Sequence, residues 1–118
     1  MKTIIISIVT ILSVFLTNNI EAQSSNYVGK WETVTPVSFY NNLVLRIKIS
    51  GTDNPNYLII TNNDTPKKKI GSKYDEDMDR LYTNVKGHQI YFIYHPTTDM
   101  LEAFKINGTS ICYLTRFQ

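Results

Sequence analysis

The chain has 118 residues, a formal net charge of +2, 42% hydrophobic residues and a single cysteine. That length suits one domain, the charge is too small to neutralise a run of nucleic-acid phosphates, and one thiol excludes an internal disulfide.

Lys2 supplies an early positive charge, and Ile4 to Leu16 is an uncharged apolar run. It has the length of a signal h-region and falls short of the roughly 20 apolar residues a membrane span needs. Asn18, Asn19 and Glu21 end the run, and Ala22 offers a small residue for cleavage before Gln23. Residues 1–22 are therefore expected to be a signal peptide, and residues 23–118 a secreted or periplasmic domain without a stable membrane anchor. Lys2 and Glu21 leave together, so the net charge is unchanged.

From Tyr27 onward apolar residues recur with period two and β-branched and aromatic types dominate, the strand signature. Strands are predicted at Val28 to Thr35, Leu43 to Ser50, Tyr57 to Asn62, Lys68 to Tyr74, Arg80 to Val85, Gln89 to His95, Leu101 to Asn107 and Thr109 to Phe117. In the second, Leu43, Leu45, Ile47 and Ile49 share one face, while Val44, Arg46 and Lys48 share the other. In the sixth, Ile90, Phe92 and Tyr94 oppose Tyr91 and Ile93, so both faces carry bulk.

Asn107-Gly108 predicts a type I′ hairpin turn, because that turn needs positive φ at both central residues. Lys86-Gly87-His88 and Thr97-Thr98-Asp99 can close two others, and the stretches Thr52 to Asn56 and Asn62 to Pro66 have loop chemistry. Short turns leave no space for crossover helices. The expected fold is all-β, a small antiparallel up-and-down barrel of seven to eight strands.

The first strand begins Tyr27-Val28-Gly29-Lys30-Trp31-Glu32 and the last ends Thr115-Arg116-Phe117. With Gly29-Lys30-Trp31 early and Arg116 late, the chain resembles the calycin superfamily, and within it the short lipocalin-like domains of secreted proteins. The resemblance implies that the first and last strands are neighbours and that Trp31 plugs the closed end of the barrel. It implies that Gly29 permits a close approach, and that Arg116 stacks on the indole while bonding backbone carbonyls. Gly29, Trp31 and Arg116 are thus structural residues.

Chemistry-bearing constellations are sparse. His88 and His95 are read as solvated turn residues, and no Cys/His zinc spacing or Gly-x-Ser-x-Gly pattern occurs. Asp75, Asp77 and Asp79 alternate as in a calcium loop, but Arg80 stands where such a loop needs Gly and Lys86 where it needs Glu. No metal, cofactor or catalytic residue is expected. Cys112 is read as a small buried hydrophobe, and Asn63 and Asn107 lie in glycosylation acceptor patterns.

The leading expectation is a non-enzymatic binding module holding a small apolar or amphipathic ligand. Leu45, Ile47, Ile59 and Phe92 would line its interior, and Tyr91, Tyr94 and Phe104 are candidate contacts. The alternative is a protein-binding domain of protease-inhibitor, immunity or adhesion type, acting through Pro36 to Asn42 and Thr52 to Asn56. An internal cavity favours the first, and a full core with an exposed aromatic patch favours the second.

Overall fold

The period-two alternation becomes eight antiparallel strands in a computed structural model that describes residues 24–51, 55–61 and 68–117. The expected signal peptide, loop residues 52–54 and the acceptor Asn63 lie outside the described residues. The strands are β1 (Gly29–Thr33), β2 (Arg46–Ser50), β3 (Tyr57–Ile60), β4 (Lys68–Asp75), β5 (Arg80–Val85), β6 (His88–His95), β7 (Met100–Lys105) and β8 (Ser110–Arg116). Each pairs with its chain neighbours, and β1 with β8, so the sheet closes into an up-and-down barrel. Closure leaves no unpaired sheet edge to be managed.

Alternation sorts the side chains. Trp31 and Thr33, Ile47 and Ile49, Leu58 and Ile60, Leu81 and Val85, Ile90 and Phe92, Leu101 and Ala103, and Cys112 and Leu114 are all buried. Each fully buried Leu, Ile or Phe contributes about 1.5–3 kcal/mol of transfer free energy. Two inward hydroxyls are bonded: Thr33 Oγ1 accepts from the Leu45 amide at 2.9 Å, and Thr83 Oγ1 donates to the Gly71 carbonyl at 2.9 Å. β4 is thinnest inside, and its Ile70 and Tyr74 are only partly buried against the core.

The type I′ turn falls at Lys86-Gly87, not at Asn107-Gly108. Lys86 and Gly87 have φ of 51° and 80°, whereas in the second turn only Gly108, at 92°, is positive. There the Gly108 amide donates to the Lys105 carbonyl at 2.9 Å, and Asn107 Oδ1 accepts from the Thr109 amide at 3.0 Å. A register shift follows: Ala103 opposes Cys112 but Phe104 opposes Ser110, leaving Ile111 as a bulge. The extra residue changes the register that a two-residue hairpin would impose.

The segment between β1 and β2 was the other departure. Val37 bridges to Leu43, and Val37 and Tyr40 are buried. Phe39 lies against the His88 ring with centroids 4.5 Å apart, and Lys86 Nζ sits 4.2 Å from the Tyr40 centroid. The Pro36 to Asn42 segment therefore packs Val37 and Tyr40 over one mouth of the barrel, while Pro36, Ser38, Asn41 and Asn42 stay exposed.

Candidate functional site

The interior comes first. Leu45, Ile47 and Phe92 do face inward and meet, together with Phe39, Ile90 and Leu114, around an apolar cavity of about 20 Å³. That volume holds about one water. A small-molecule site needs about 300–1,000 Å³, so the described barrel is filled by its own side chains. Ile59 is not among them. It pairs with Lys48 and Lys69 and lies half-buried on the outer face, because Leu58 and Ile60 take the inward positions of β3.

The other end is sealed by a polar and aromatic plug. Arg116 stacks on Trp31, its Cζ 4.2 Å from the ring centroid, while Nη1 and Nη2 donate to the carbonyls of Val28 and Asn26 at 3.1 and 2.8 Å. Its Nε reaches both carboxylate oxygens of Asp99, at 2.9 and 3.0 Å. Tyr27 is fully buried; its hydroxyl donates to the Asp79 carbonyl at 2.8 Å and accepts from the Tyr94 amide at 3.1 Å. Tyr94 belongs to this plug, with its hydroxyl donating to Asp99 Oδ1 at 2.8 Å, and so stands apart from Tyr91 and Phe104. That bond and Arg116 hold the Asp99 carboxyl below its ordinary range, while the same bond to Asp99 raises the Tyr94 hydroxyl against the lowering pull of Arg116.

Tyr74 repeats the device in the preceding hairpin, donating to Asp79 Oδ1 at 2.7 Å. Tyr74 and Asp79, like Tyr94 and Asp99, bracket a four-residue interval, and both aspartates have a φ of 51°. The acidic run Asp75 to Asp79 is accounted for locally as well, since Asp75 Oδ1 accepts from the amides of Asp77 and Met78 at 3.0 and 3.3 Å. Among the described residues no group of three His, Cys, Asp or Glu could hold a metal ion.

The outer face carries the remaining candidates. Tyr82, Tyr91 and Phe104 stand opposite one another across β5, β6 and β7. Tyr91 and Phe104 stack at 5.1 Å and 14°, Tyr82 tilts against Tyr91 at 5.6 Å, and Arg80 Cζ lies 4.6 Å from the Tyr91 centroid. Tyr91 is consequently only 6% exposed although it points away from the core.

Beside this row runs a trough. One part, of about 460 Å³, is lined by residues including Gly71, Lys73, Tyr82, Asn84, Gln89 and Ile106. A second, of about 410 Å³, shares Asn84, Gln89 and Ile106 and continues to Lys105, His88 and Phe39 at the covered mouth. The shared residues show that the two parts adjoin. Gly71 opens the floor of the first, where an added Cβ would meet nothing within 4 Å. Neither Lys73, Asn84, Gln89 nor Ile106 carries a sequence motif, and only their outward parity on paired strands could have grouped the first three.

Both histidines reach solvent as expected, at the two ends of β6. His88 is exposed with one face of its ring against Phe39, and His95, with 41% of its side chain exposed, has Nε2 3.0 Å from Glu102 Oε1. The other oxygen of Glu102 accepts from Ser110 Oγ at 2.7 Å. A serine, a histidine and an acid thus meet, but the carboxylate stands in the middle. An imidazole that removes a serine proton must itself touch the hydroxyl, and this one bonds the acid instead.

Cys112 is buried in the core as expected, and burial pushes its thiol up to about 11. A thiol so raised is a poor nucleophile at neutral pH. Compared with protein families, curated proteins and solved structures, the chain matches none. What the geometry defines is a small closed β-barrel, a fold compatible with a binding module.

Proposed function

We propose that the chain is a secreted, non-enzymatic binding module that engages a protein partner through its outer face. The observation that carries this is a contrast of volumes: about 20 Å³ is empty inside the barrel, against about 460 Å³ in the largest part of the outer trough. Ile106, 57% exposed, and Tyr82 add apolar surface beside that trough, of the aromatic and aliphatic kind that protein interfaces favour. The middle position of Glu102 between Ser110 and His95 supports the non-enzymatic part.

The test is thermal unfolding with and without a panel of fatty acids, retinoid-like compounds and small aromatics. A ligand that binds only the folded state raises stability by about 2.7 kcal/mol at a hundredfold excess over its dissociation constant. No shift is expected from the panel. A shift that Leu45→Trp abolishes and Ile106→Asp leaves intact would place the ligand inside and overturn the proposal.

A further inference from the structure

We infer that the outer trough docks an acidic, extended peptide segment of its partner, with carboxylates at Lys73 and Lys105 and an apolar side chain between Tyr82 and Ile106. This rests on the outward-acting reading above and adds the chemistry of the occupant.

Charge comes first. Among the described residues no aspartate or glutamate lines either part of the trough, while Lys73 stands in one part and Lys105 in the other, both exposed. Asp75 and Glu76 line a further hollow beyond Lys73 and so bound the cationic stretch on that side. Lys73 and Lys105 are the cations that line the trough among the described residues, and the nearby Arg80, Lys69 and Lys86 are each held over a ring, of Tyr91, Tyr57 and Tyr40.

Shape comes next. The lining residues reach from β4 across β5 and β6 to the start of the β7–β8 turn. Three strand spacings make about 14 Å, the length of about four extended residues. The barrel's own strands are paired on both sides, so a peptide cannot add as a ninth strand and must be read by side chains. Asn84 and Gln89, opposite each other on β5 and β6 and both exposed, present amides that donate to and accept from a peptide backbone.

A sugar fits less well. Saccharides stack on open aromatic faces, and here Tyr91 has Phe104 against its ring and Arg80 over it. A polyanionic saccharide needs a denser array of cations than two lysines supply.

The experiment is fluorescence anisotropy on the full chain, expressed with residues 1–22 in place so that the cell processes it. The probes are a labelled heptapeptide of alternating Glu and Leu, the same peptide with Lys for Glu, and a heparin oligosaccharide. The acidic peptide is expected to bind at least about tenfold more tightly than the basic one and to weaken as salt is raised. Lys73→Glu combined with Lys105→Glu should reverse that preference while leaving the unfolding temperature in place, since both side chains are exposed. Equal binding of the two peptides, indifference to the double substitution, no binding at millimolar peptide, or heparin bound with the same residue dependence would each overturn the inference. Preference for the basic peptide, lost on Ile106→Asp, would sink only the acidic assignment and leave the outward-acting reading standing. A panel ligand held inside the barrel would sink both.

Discussion

At Gly29 two constraints meet. Its φ of +142° suits glycine alone, and a Cβ there would lie 2.6 Å from Nη1 of Arg116. Gly29→Ala is expected to lower unfolding free energy by about 1–3 kcal/mol, read by urea denaturation, and a change lost in the noise would mean that Arg116 is not held where the structure has it. Arg116→Lys should also cost stability, since an ammonium cannot stack flat on Trp31 while donating to two carbonyls and a carboxylate. The pairing of Trp31 with Arg116 was expected from the resemblance carried by Gly29-Lys30-Trp31 and Arg116, and neither strand by itself specifies it. The role of Asp99 was not expected. Its tie to Arg116 and Tyr94 depends on a turn whose left-handed residue is an aspartate, a choice that local sequence permits but does not require.

Residue-scale titration adds a pH dependence. Burial raises the Cys112 thiol to about 11 and raises the buried Tyr27 hydroxyl, and Tyr74 is raised by burial and by its bond to Asp79. The folded state therefore holds protons that the unfolded chain releases earlier. That stability is complete below the ordinary thiol range and is lost as pH climbs through the raised values. The melting temperature should fall between about pH 8.5 and pH 11, with Cys112→Val flattening the first part of the decline. A melting curve that stays level over that interval would contradict the burial of these groups. Asp99 works in the opposite direction: its lowered carboxyl supports the fold above the ordinary carboxylate range and loses that contribution as pH drops through its own value.

Among the elements, β5 shows what alternation can specify: both of its ends match the reading from sequence, because Leu81, Thr83 and Val85 are set off by Arg80, Tyr82 and Asn84. β3 shows where alternation runs out. Tyr57, Leu58, Ile59 and Ile60 are all apolar, so parity had to be settled by pairing with β2 and β4, and Ile59 came out facing solvent. In β6 the parity was right but its meaning was open: Tyr91 went to an outer aromatic row and Tyr94 to the plug. The trough escaped sequence reading because its residues come from four strands, the turns between them and the segment before β2, each ordinary in its own place. Turn chemistry supplies a direct check. Gly87 at φ 80° has open space around it, so Gly87→Ala tests backbone strain alone. It should cost about 1–2 kcal/mol, measured by chemical denaturation, and a neutral result would argue against the type I′ turn.

For the whole molecule the deciding quantity is how completely eight short strands fill what they enclose. A barrel of this strand number is just wide enough for its own side chains or for one small ligand, and here Phe92, Leu45 and Ile47 leave about 20 Å³ between them. On the reading proposed above, binding falls to the outside, where the fold holds Lys73, Asn84 and Gln89 at fixed spacing on paired strands. The same logic predicts how to turn the barrel inside out. Leu45→Ala removes apolar volume at the edge of the existing void and should cost about 2–5 kcal/mol. It should also create a dry apolar cavity, since the lining is aliphatic and aromatic apart from Thr33 and Cys112. Benzene should then raise the melting temperature of Leu45→Ala and leave the parent chain unmoved. Stabilisation of the parent by benzene would show instead that the interior breathes enough to admit a ligand, and that the outer trough is not where binding begins.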